Sequence, residues 1–202
     1  MNIPNGLTLG RIVLVPLIVW LIITHEMTAA FLLFLLAGVS DAADGFLAKR
    51  YGWRSELGAY LDPIADKALL VSIYVTLGFA GHLPVWLVIA VVSRDILIVG
   101  AVVLSWMLSR PVRMQPLLIS KFNTLSQIVL AGLVLAELGL GLGLHNLVKA
   151  LVWVTGALTI VSAAAYFWSW LGHMASYEPP TPPLRQRKQA EAGRPERPKV
   201  ET

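Results

Sequence analysis

The stretch TAAFLLFLLAGVSDAADGFLA, residues 28–48, is an apolar run that contains two aspartates near its end. Crossing about 30 Å of hydrocarbon takes roughly 20 predominantly apolar residues in a helix, and this stretch is long enough. Further runs of this kind lie at residues 7–24, 58–80, 84–108, 117–140 and 144–171. The sequence therefore predicts an all-α integral membrane protein with six transmembrane helices.

The composition supports this fold class and excludes several functions. Hydrophobic residues make up 56% of the 202 residues and charged residues 14%, whereas soluble domains have about 45–50% and about 25%. The chain has no cysteine, which excludes disulfides, thiolate metal sites and cysteine nucleophiles. Its net charge of +4 does not indicate nucleic-acid binding, because the basic residues do not cluster on a soluble domain. Anionic membrane lipid is the expected counter-charge.

The positions of the basic residues predict the orientation in the membrane. Short cytoplasmic loops carry an excess of Lys and Arg, and a cytoplasmic N-terminus puts 13 of the 16 basic residues on the cytoplasmic side. Arg11 interrupts the first apolar run and no small-residue cleavage site follows it, so this run is predicted to be a helix rather than a signal peptide. Both termini are predicted to be cytoplasmic, in a bacterial inner membrane.

The end of the chain differs from the rest. Residues 175–202 are rich in proline, mixed in charge and almost free of large apolar side chains. Such a segment cannot bury enough apolar surface to offset its ordering entropy. The sequence predicts a transmembrane domain over residues 1–174 and a disordered cytoplasmic tail over residues 175–202.

Four aspartates lie at the predicted cytoplasmic ends of the second and third helices. Positions i, i+3, i+4 and i+7 of a helix share one face, and a spacing of four residues also follows one face. Two aspartate stripes with these spacings are Asp41, Asp44, Gly45 and Ala48 on the second helix, and Gly58, Asp62 and Asp66 on the third. Within the third helix, Pro63 would either kink the helix or mark its first turn with Asp62 as the cap.

Carboxylates from two such stripes can share a pocket only if cations neutralise them. Oxygen ligands suit hard divalent ions such as Mg²⁺, Mn²⁺ or Ca²⁺, and two such ions are a common clamp for displacement at phosphorus. The glycines and alanines would leave room for a ligand beside the metals. The alternative is that the aspartates cap helices at the interface and the small residues serve helix packing.

Residues 41–66 resemble the signature of the CDP-alcohol phosphatidyltransferases, Asp-x2-Asp-Gly-x2-Ala-Arg-x8-Gly-x3-Asp-x3-Asp. Every fixed position matches except Lys49, where the family has Arg, and Lys cannot reproduce a bidentate guanidinium contact. Residues 2–5 (NIPN), 61–67 (LDPIADK), 93–95 (SRD) and 119–124 (ISKFNT) look most like the mitochondrial-type cardiolipin synthases. Phosphatidylglycerophosphate synthases share part of this pattern.

The resemblance implies six helices around a polar cavity open to the cytoplasm, often in a homodimer. It implies transfer of a phosphatidyl group from CDP-diacylglycerol to an alcohol, with release of CMP. It also implies two divalent cations, Mg²⁺ or Mn²⁺, as cofactors. The implied metal ligands are Asp41, Asp44, Asp62 and Asp66, with Asp66 also the general base. The implied CDP-binding residues are Asp44, Gly45, Ala48, Lys49 and Gly58.

Other polar residues also lie within the predicted spans. Arg94 either pairs with Asp95 or another aspartate, or binds an acceptor phosphate, and Lys67 is expected to extend to the membrane surface. Ser120, Asn123 and Gln127 form a polar stripe at i, i+3 and i+7. This stripe provides either interhelical hydrogen bonds or, with Lys121, an acceptor pocket. The predicted acceptor-binding residues are Arg94, Lys121 and Asn123.

Three questions of function stay open. Buried carboxylates also mark ion pathways in transporters, although the aspartates cluster at one membrane face and no inverted repeat is visible. A catalytically inactive membrane protein is a further alternative, which the complete set of motif carboxylates argues against. The acceptor is predicted to be phosphatidylglycerol, which gives cardiolipin, with glycerol 3-phosphate as the alternative.

Overall fold

The computed structural model describes residues 3–51, 56–107 and 118–175. Within these ranges, the side chains of residues 3–9, 11, 42–51, 56–64, 102–103, 105–106 and 173–175 lie outside that description. The described residues form six α-helices and no strand. The helices are α1 (Ile3–Ile23), α2 (Met27–Tyr51), α3 (Glu56–Phe79), α4 (Val85–Met107), α5 (Leu118–Leu140) and α6 (His145–Ala175). The bounds of each helix agree with those of one predicted apolar run to within a few residues. The predicted disordered tail lies, apart from Ala175, outside the described residues.

Short turns join the helices at the end away from the aspartates. Between α3 and α4, Gly81 has φ of 76°, a left-handed conformation that glycine adopts without a steric penalty. Between α5 and α6, the N–H of Leu144 donates a hydrogen bond to Glu137 Oε2 at 2.7 Å. This bond satisfies a backbone donor just ahead of α6, where helices leave their first N–H groups unpaired.

Proline lies inside two of the helices. α3 begins at Glu56, so Pro63 stands in its second turn or beyond, and the interpretation of Pro63 as a first-turn residue with Asp62 as the cap is wrong. Pro16 lies inside α1 in the same way. Membrane helices tolerate interior proline because neighbouring helices and local adjustment satisfy the freed carbonyl groups. A kink at Pro63 stays a prediction.

The six helices form a closed ring in which α1 packs on α2, α2 on α5, α5 on α6, α6 on α4, α4 on α3 and α3 on α1. α3 also packs on α5 across the ring. Tyr74 of α3 is fully buried at this crossing and donates a hydrogen bond to the carbonyl oxygen of Gln127 at 3.1 Å. The α3–α5 contact therefore divides the ring into two compartments, one between α1, α2, α3 and α5, and one between α3, α4, α5 and α6.

The outer surface of the ring is apolar. Large hydrophobic side chains are exposed on every helix, for example Val13, Leu32, Ile96, Leu125 and Trp168. Such extensive apolar exposure is typical of a surface that contacts lipid. Within the described residues, Leu118–Leu140 and His145–Gly172 are long and apolar enough to span a membrane, and the apolar parts of α1 and α2 are shorter. The chain is a membrane protein, and the six-span topology stays a prediction.

Candidate active site

Asp41 of α2 and Asp66 of α3 line one cavity of about 110 Å³ in the first compartment. Both carboxylates are partly buried. The remaining lining comes from α2, α3 and α5, and consists of Phe34, Ala37, Gly38, Leu69, Leu70, Thr124 and Ile128. The site therefore brings together side chains that are 25 positions apart in the sequence.

The cavity exists because α2 and α3 are held apart. Among the described residues these two helices make no direct backbone contact, since α1 and α5 each pack against both of them. Small residues widen the space on α2. Ala37 is 1% exposed, and a Cβ built on Gly38 would meet no atom within 4 Å.

Both aspartate stripes lie on continuous helices. α2 extends to Tyr51 and α3 begins at Glu56, so the helical spacing assumed for each stripe is confirmed for the backbone. The site residues whose side chains lie outside the description are Asp44, Gly45, Ala48, Lys49, Gly58 and Asp62. Their assignments to metal and CDP binding stay predictions.

The donors on this cavity fit a divalent cation. Two carboxylates that face one small space repel each other unless a cation or proton intervenes, and carboxylate oxygens are the ligands that Mg²⁺ and Mn²⁺ prefer. Within the part of the chain whose side chains are described, no group of three or more such ligands is present. Asp41 and Asp66 are two of the four predicted ligands, and metal binding by them stays a prediction.

Arg94 is the centre of a buried polar cluster in the second compartment, between α3, α4, α5 and α6, and is 3% exposed. Its Nη1 donates a hydrogen bond to Asp95 Oδ1 at 2.7 Å, and its Nε and Nη2 donate to Ser162 Oγ at 3.3 and 3.0 Å. Nη2 also donates to Ser120. The guanidinium carbon lies 5.6 Å from the centre of the Tyr166 ring. Pairing of Arg94 with Asp95 is thus confirmed, and acceptor binding by Arg94 stays a prediction.

Lys67 of α3 reaches the same carboxylate. Its Nζ lies 2.7 Å from both Asp95 oxygens, and its side chain is 41% exposed. The ammonium group therefore has a partner inside the bundle. The sequence-based expectation that Lys67 extends to the membrane surface did not predict this partner. The sequence held one signal for this pair. Lys67 and Asp95 lie at similar distances from the aspartate end of two consecutive antiparallel helices.

Hydrogen bonds between side chains join α5 to α6. Thr159 donates to Asn123 Oδ1 at 2.8 Å, and the hydroxyl groups of Ser126 and Thr155 lie 2.6 Å apart. Asn123 is fully buried, and its Nδ2 has no partner among the described residues. The interhelical interpretation is confirmed for Asn123, whereas acceptor binding by Asn123 and by the exposed Lys121 stays a prediction.

Comparison with known proteins identifies the family. Residues 1–161 match the family model described as CDP-alcohol phosphatidyltransferase. The chain belongs to this family. The match contains both aspartate stripes, the cavity and Arg94, so the resemblance in residues 41–66 is confirmed. Members of the CDP-alcohol phosphatidyltransferase family generally use divalent metal ions.

Several relatives within the CDP-alcohol phosphatidyltransferases are 34% identical to the chain, and each aligns with 82% of it. They are a probable cardiolipin synthase (CMP-forming) of Drosophila melanogaster, a chloroplastic CDP-diacylglycerol–glycerol-3-phosphate 3-phosphatidyltransferase of Oryza sativa subsp. japonica and the cardiolipin synthase (CMP-forming) of Homo sapiens. The matched part covers 56%, 56% and 60% of these proteins. The chain thus spans little more than half the length of these relatives.

Proposed function

We propose that the protein is a phosphotransferase that moves a phosphatidyl group from CDP-diacylglycerol to phosphatidylglycerol, forming cardiolipin and CMP. The observation that carries this proposal is the convergence of Asp41 and Asp66 on one cavity. The family match over residues 1–161 supports the reaction class. The fly and human relatives named as cardiolipin synthases support the acceptor.

The donor side of the proposed site consists of the two aspartate stripes. Asp41, Asp44, Asp62 and Asp66 would hold two divalent cations, Mg²⁺ or Mn²⁺. When bound, these cations would neutralise the diphosphate and the charge that develops on the departing CMP. The CDP group would lie against Asp44, Gly45, Ala48, Lys49 and Gly58.

Asp66 is the proposed general base. An alcohol is a poor nucleophile at neutral pH, so a carboxylate within hydrogen-bond reach must accept its proton. In this scheme the acceptor oxygen forms a bond to the phosphorus that carries the diacylglycerol, and the bond from that phosphorus to CMP breaks. The hydroxyl proton passes to Asp66. Direct attack needs no covalent enzyme intermediate, and the absence of cysteine is compatible with it.

Glycerol 3-phosphate is the second candidate acceptor, and its product would be phosphatidylglycerophosphate. The rice relative, whose name gives glycerol 3-phosphate as its acceptor, is also 34% identical to the chain. Both candidate acceptors contain a phosphate and a free hydroxyl group, so a site with basic side chains suits either. Lys121 and Asn123 remain proposed acceptor residues, whereas the guanidinium group of Arg94 is occupied by Asp95, Ser120 and Ser162.

The proposed setting is a homodimer of six-span subunits in a bacterial inner membrane. The site would open to the cytoplasm, where both termini and the tail of residues 175–202 would lie. Three features support this setting, of which only the first bears on the orientation. They are the basic residues at the aspartate end, the apolar outer surface and the helical continuity of the six apolar runs.

The test uses purified full-length protein in detergent with CDP-diacylglycerol, Mg²⁺ or Mn²⁺, and either acceptor. Release of labelled CMP together with cardiolipin is the expected result. Consumption of glycerol 3-phosphate alone would identify the second function. Ion flux through liposomes that contain the protein but no substrate, without CMP release, would identify a transporter and contradict the proposal.

A further inference from the structure

Lys67 and Asp66 are neighbours on α3, yet they face different compartments of the ring. Asp66 lines the cavity between α2, α3 and α5, whereas Lys67 reaches Asp95 on α4. Consecutive residues of a helix point about 100° apart, which explains this division. The buried Tyr74–Gln127 contact lies seven residues along α3 from Lys67, about 10 Å deeper by helical rise.

The two basic side chains that contact Asp95, Arg94 and Lys67, differ in exposure and in the number of their contacts. The described contacts of Arg94 occupy its Nε, Nη1 and Nη2 atoms, and only 2% of its side chain is exposed. Lys67 is 41% exposed and makes its described contacts through one atom. An incoming anion would have to break several buried hydrogen bonds to reach Arg94. Lys67 can turn toward an anion by leaving one carboxylate.

The departure of Lys67 would not leave Asp95 unpaired. Asp95 is 12% exposed and keeps its 2.7 Å contact with Arg94. Removing one partner of a buried ion pair is costly mainly because the other charge is left uncompensated, and the second cation avoids that cost here. In addition, a half-exposed ammonium group on a membrane helix requires water or an anion around its exposed part, because charge is costly in hydrocarbon.

We propose that Lys67 binds the phosphate group of the acceptor, and that Asp95 and Arg94 are positioning residues that hold its ammonium group beside the site. The inference rests on the proposed function, in which Asp66 accepts the proton of the acceptor hydroxyl. In both candidate acceptors a short glycerol chain joins the phosphate to that hydroxyl. Neighbouring positions on one helix would therefore bind the two ends of the reacting group.

The experiment measures binding and turnover separately in the full-length protein. Inorganic phosphate, glycerol 3-phosphate and short-chain phosphatidylglycerol are titrated by calorimetry without CDP-diacylglycerol. The variants are Lys67→Met, the charge-retaining Lys67→Arg and the control Lys149→Met. Lys149 is exposed and lies 13 residues from Ser162 along α6, about 20 Å by helical rise.

Lys67→Met is expected to weaken binding of a phosphate-bearing acceptor about 10- to 100-fold, as expected for loss of a charge-assisted hydrogen bond. Lys67→Arg and Lys149→Met should change it less than about threefold, and CDP-diacylglycerol affinity should stay constant in all three. The compound that loses affinity distinguishes a free glycerol phosphate from a lipid headgroup. In turnover assays, the KM for the acceptor should rise more than kcat falls.

The proposal is overturned if the wild type binds none of the three phosphates or if Lys67→Met binds them as the wild type does. It is also overturned if CDP-diacylglycerol binding weakens equally, because Lys67 would then act on the donor or on the fold. Failure of the proposed function gives a different result. The wild type would release no CMP from either acceptor, while the dependence of phosphate binding on Lys67 would still be measured.

Discussion

Asp41 of α2 and Asp66 of α3 line the same cavity, which neither helix could form alone. α2 and α3 flank this space without direct backbone contact among the described residues, and α1 and α5 hold them at that separation. Binding of a cation between the two carboxylates would therefore link two helices whose described backbone contacts run through α1 and α5.

Replacement of Asp66 tests its role as the base. Asp66→Asn removes the proton acceptor while keeping the size of the side chain, and general base catalysis contributes about 10²- to 10⁴-fold. We expect CMP release to fall by at least about 100-fold while CDP-diacylglycerol binding remains measurable. Glu26→Gln, in the exposed turn between α1 and α2, is the control with normal turnover. Activity retained by Asp66→Asn would remove the assignment of Asp66 as base.

Metal dependence tests the shared carboxylate cavity. Chelation by EDTA should abolish CMP release, and added Mg²⁺ or Mn²⁺ should restore it. Asp41→Asn removes one negative charge from the ligand set, and the number of charged ligands tunes affinity for hard cations. The Mg²⁺ concentration that gives half-maximal activity should rise about tenfold or more. Full activity in EDTA, or an unchanged Mg²⁺ requirement in Asp41→Asn, would contradict this prediction.

Asp95 is expected to be important for stability as well as for positioning. Asp95→Ala leaves the buried guanidinium of Arg94 without its carboxylate, and breaking a buried ion pair costs about 3–5 kcal/mol. Thermal unfolding in detergent, followed by circular dichroism, should show a clearly lower midpoint than in the wild type. Lys67→Met, which leaves the Arg94–Asp95 pair intact, should unfold close to the wild-type temperature. Equal midpoints for Asp95→Ala and the wild type would show that the pair does not stabilise the fold.

Gly139 allows α5 to approach the start of α2 closely. A Cβ at this position would lie 2.8 Å from Thr28 Cα and N, and Thr28 donates a hydrogen bond to the Gly139 carbonyl at 2.7 Å. Gly139→Ala should destabilise the protein by about 1–3 kcal/mol, as overpacking does.

Gly100 provides the matched control for Gly139. A Cβ at Gly100, in α4, would meet no atom within 4 Å, so Gly100→Ala should stabilise the helix by up to about 1 kcal/mol. The two alanine variants should therefore shift the unfolding midpoint in opposite directions. A shift in the same direction would show that backbone contact is not what requires glycine at position 139.

The fold could largely be predicted from the sequence, because apolar runs of membrane-spanning length allow few alternatives to helices. The helix boundaries follow the six runs closely. The exception was α3, for which Pro63 suggested a later start. Proline is a reliable helix boundary only where water competes for the freed backbone groups, and a membrane bundle weakens that rule.

The site was predictable only in part. Helical spacing put Asp41 and Asp66 on stripes, and the cavity that they share is confirmed. Spacing within a helix does not, however, tell which helices are neighbours. The ring order and the α3–α5 crossing come from packing of the whole bundle, so the contact of Lys67 with Asp95 could not be deduced from periodicity alone.

The hydrogen bonds between α5 and α6 also bear on how the protein is made. Asn123 and Ser126 are buried and have their partners on α6, the last described helix to be synthesised. Before that helix inserts, the Asn123 amide and the Ser126 hydroxyl group lack these partners. Arg94 at that point lacks its hydrogen bonds to Ser162, in a medium without water. A chain that lacks α6 therefore exposes unpaired polar groups within the bilayer. Insertion of α6 pairs these groups.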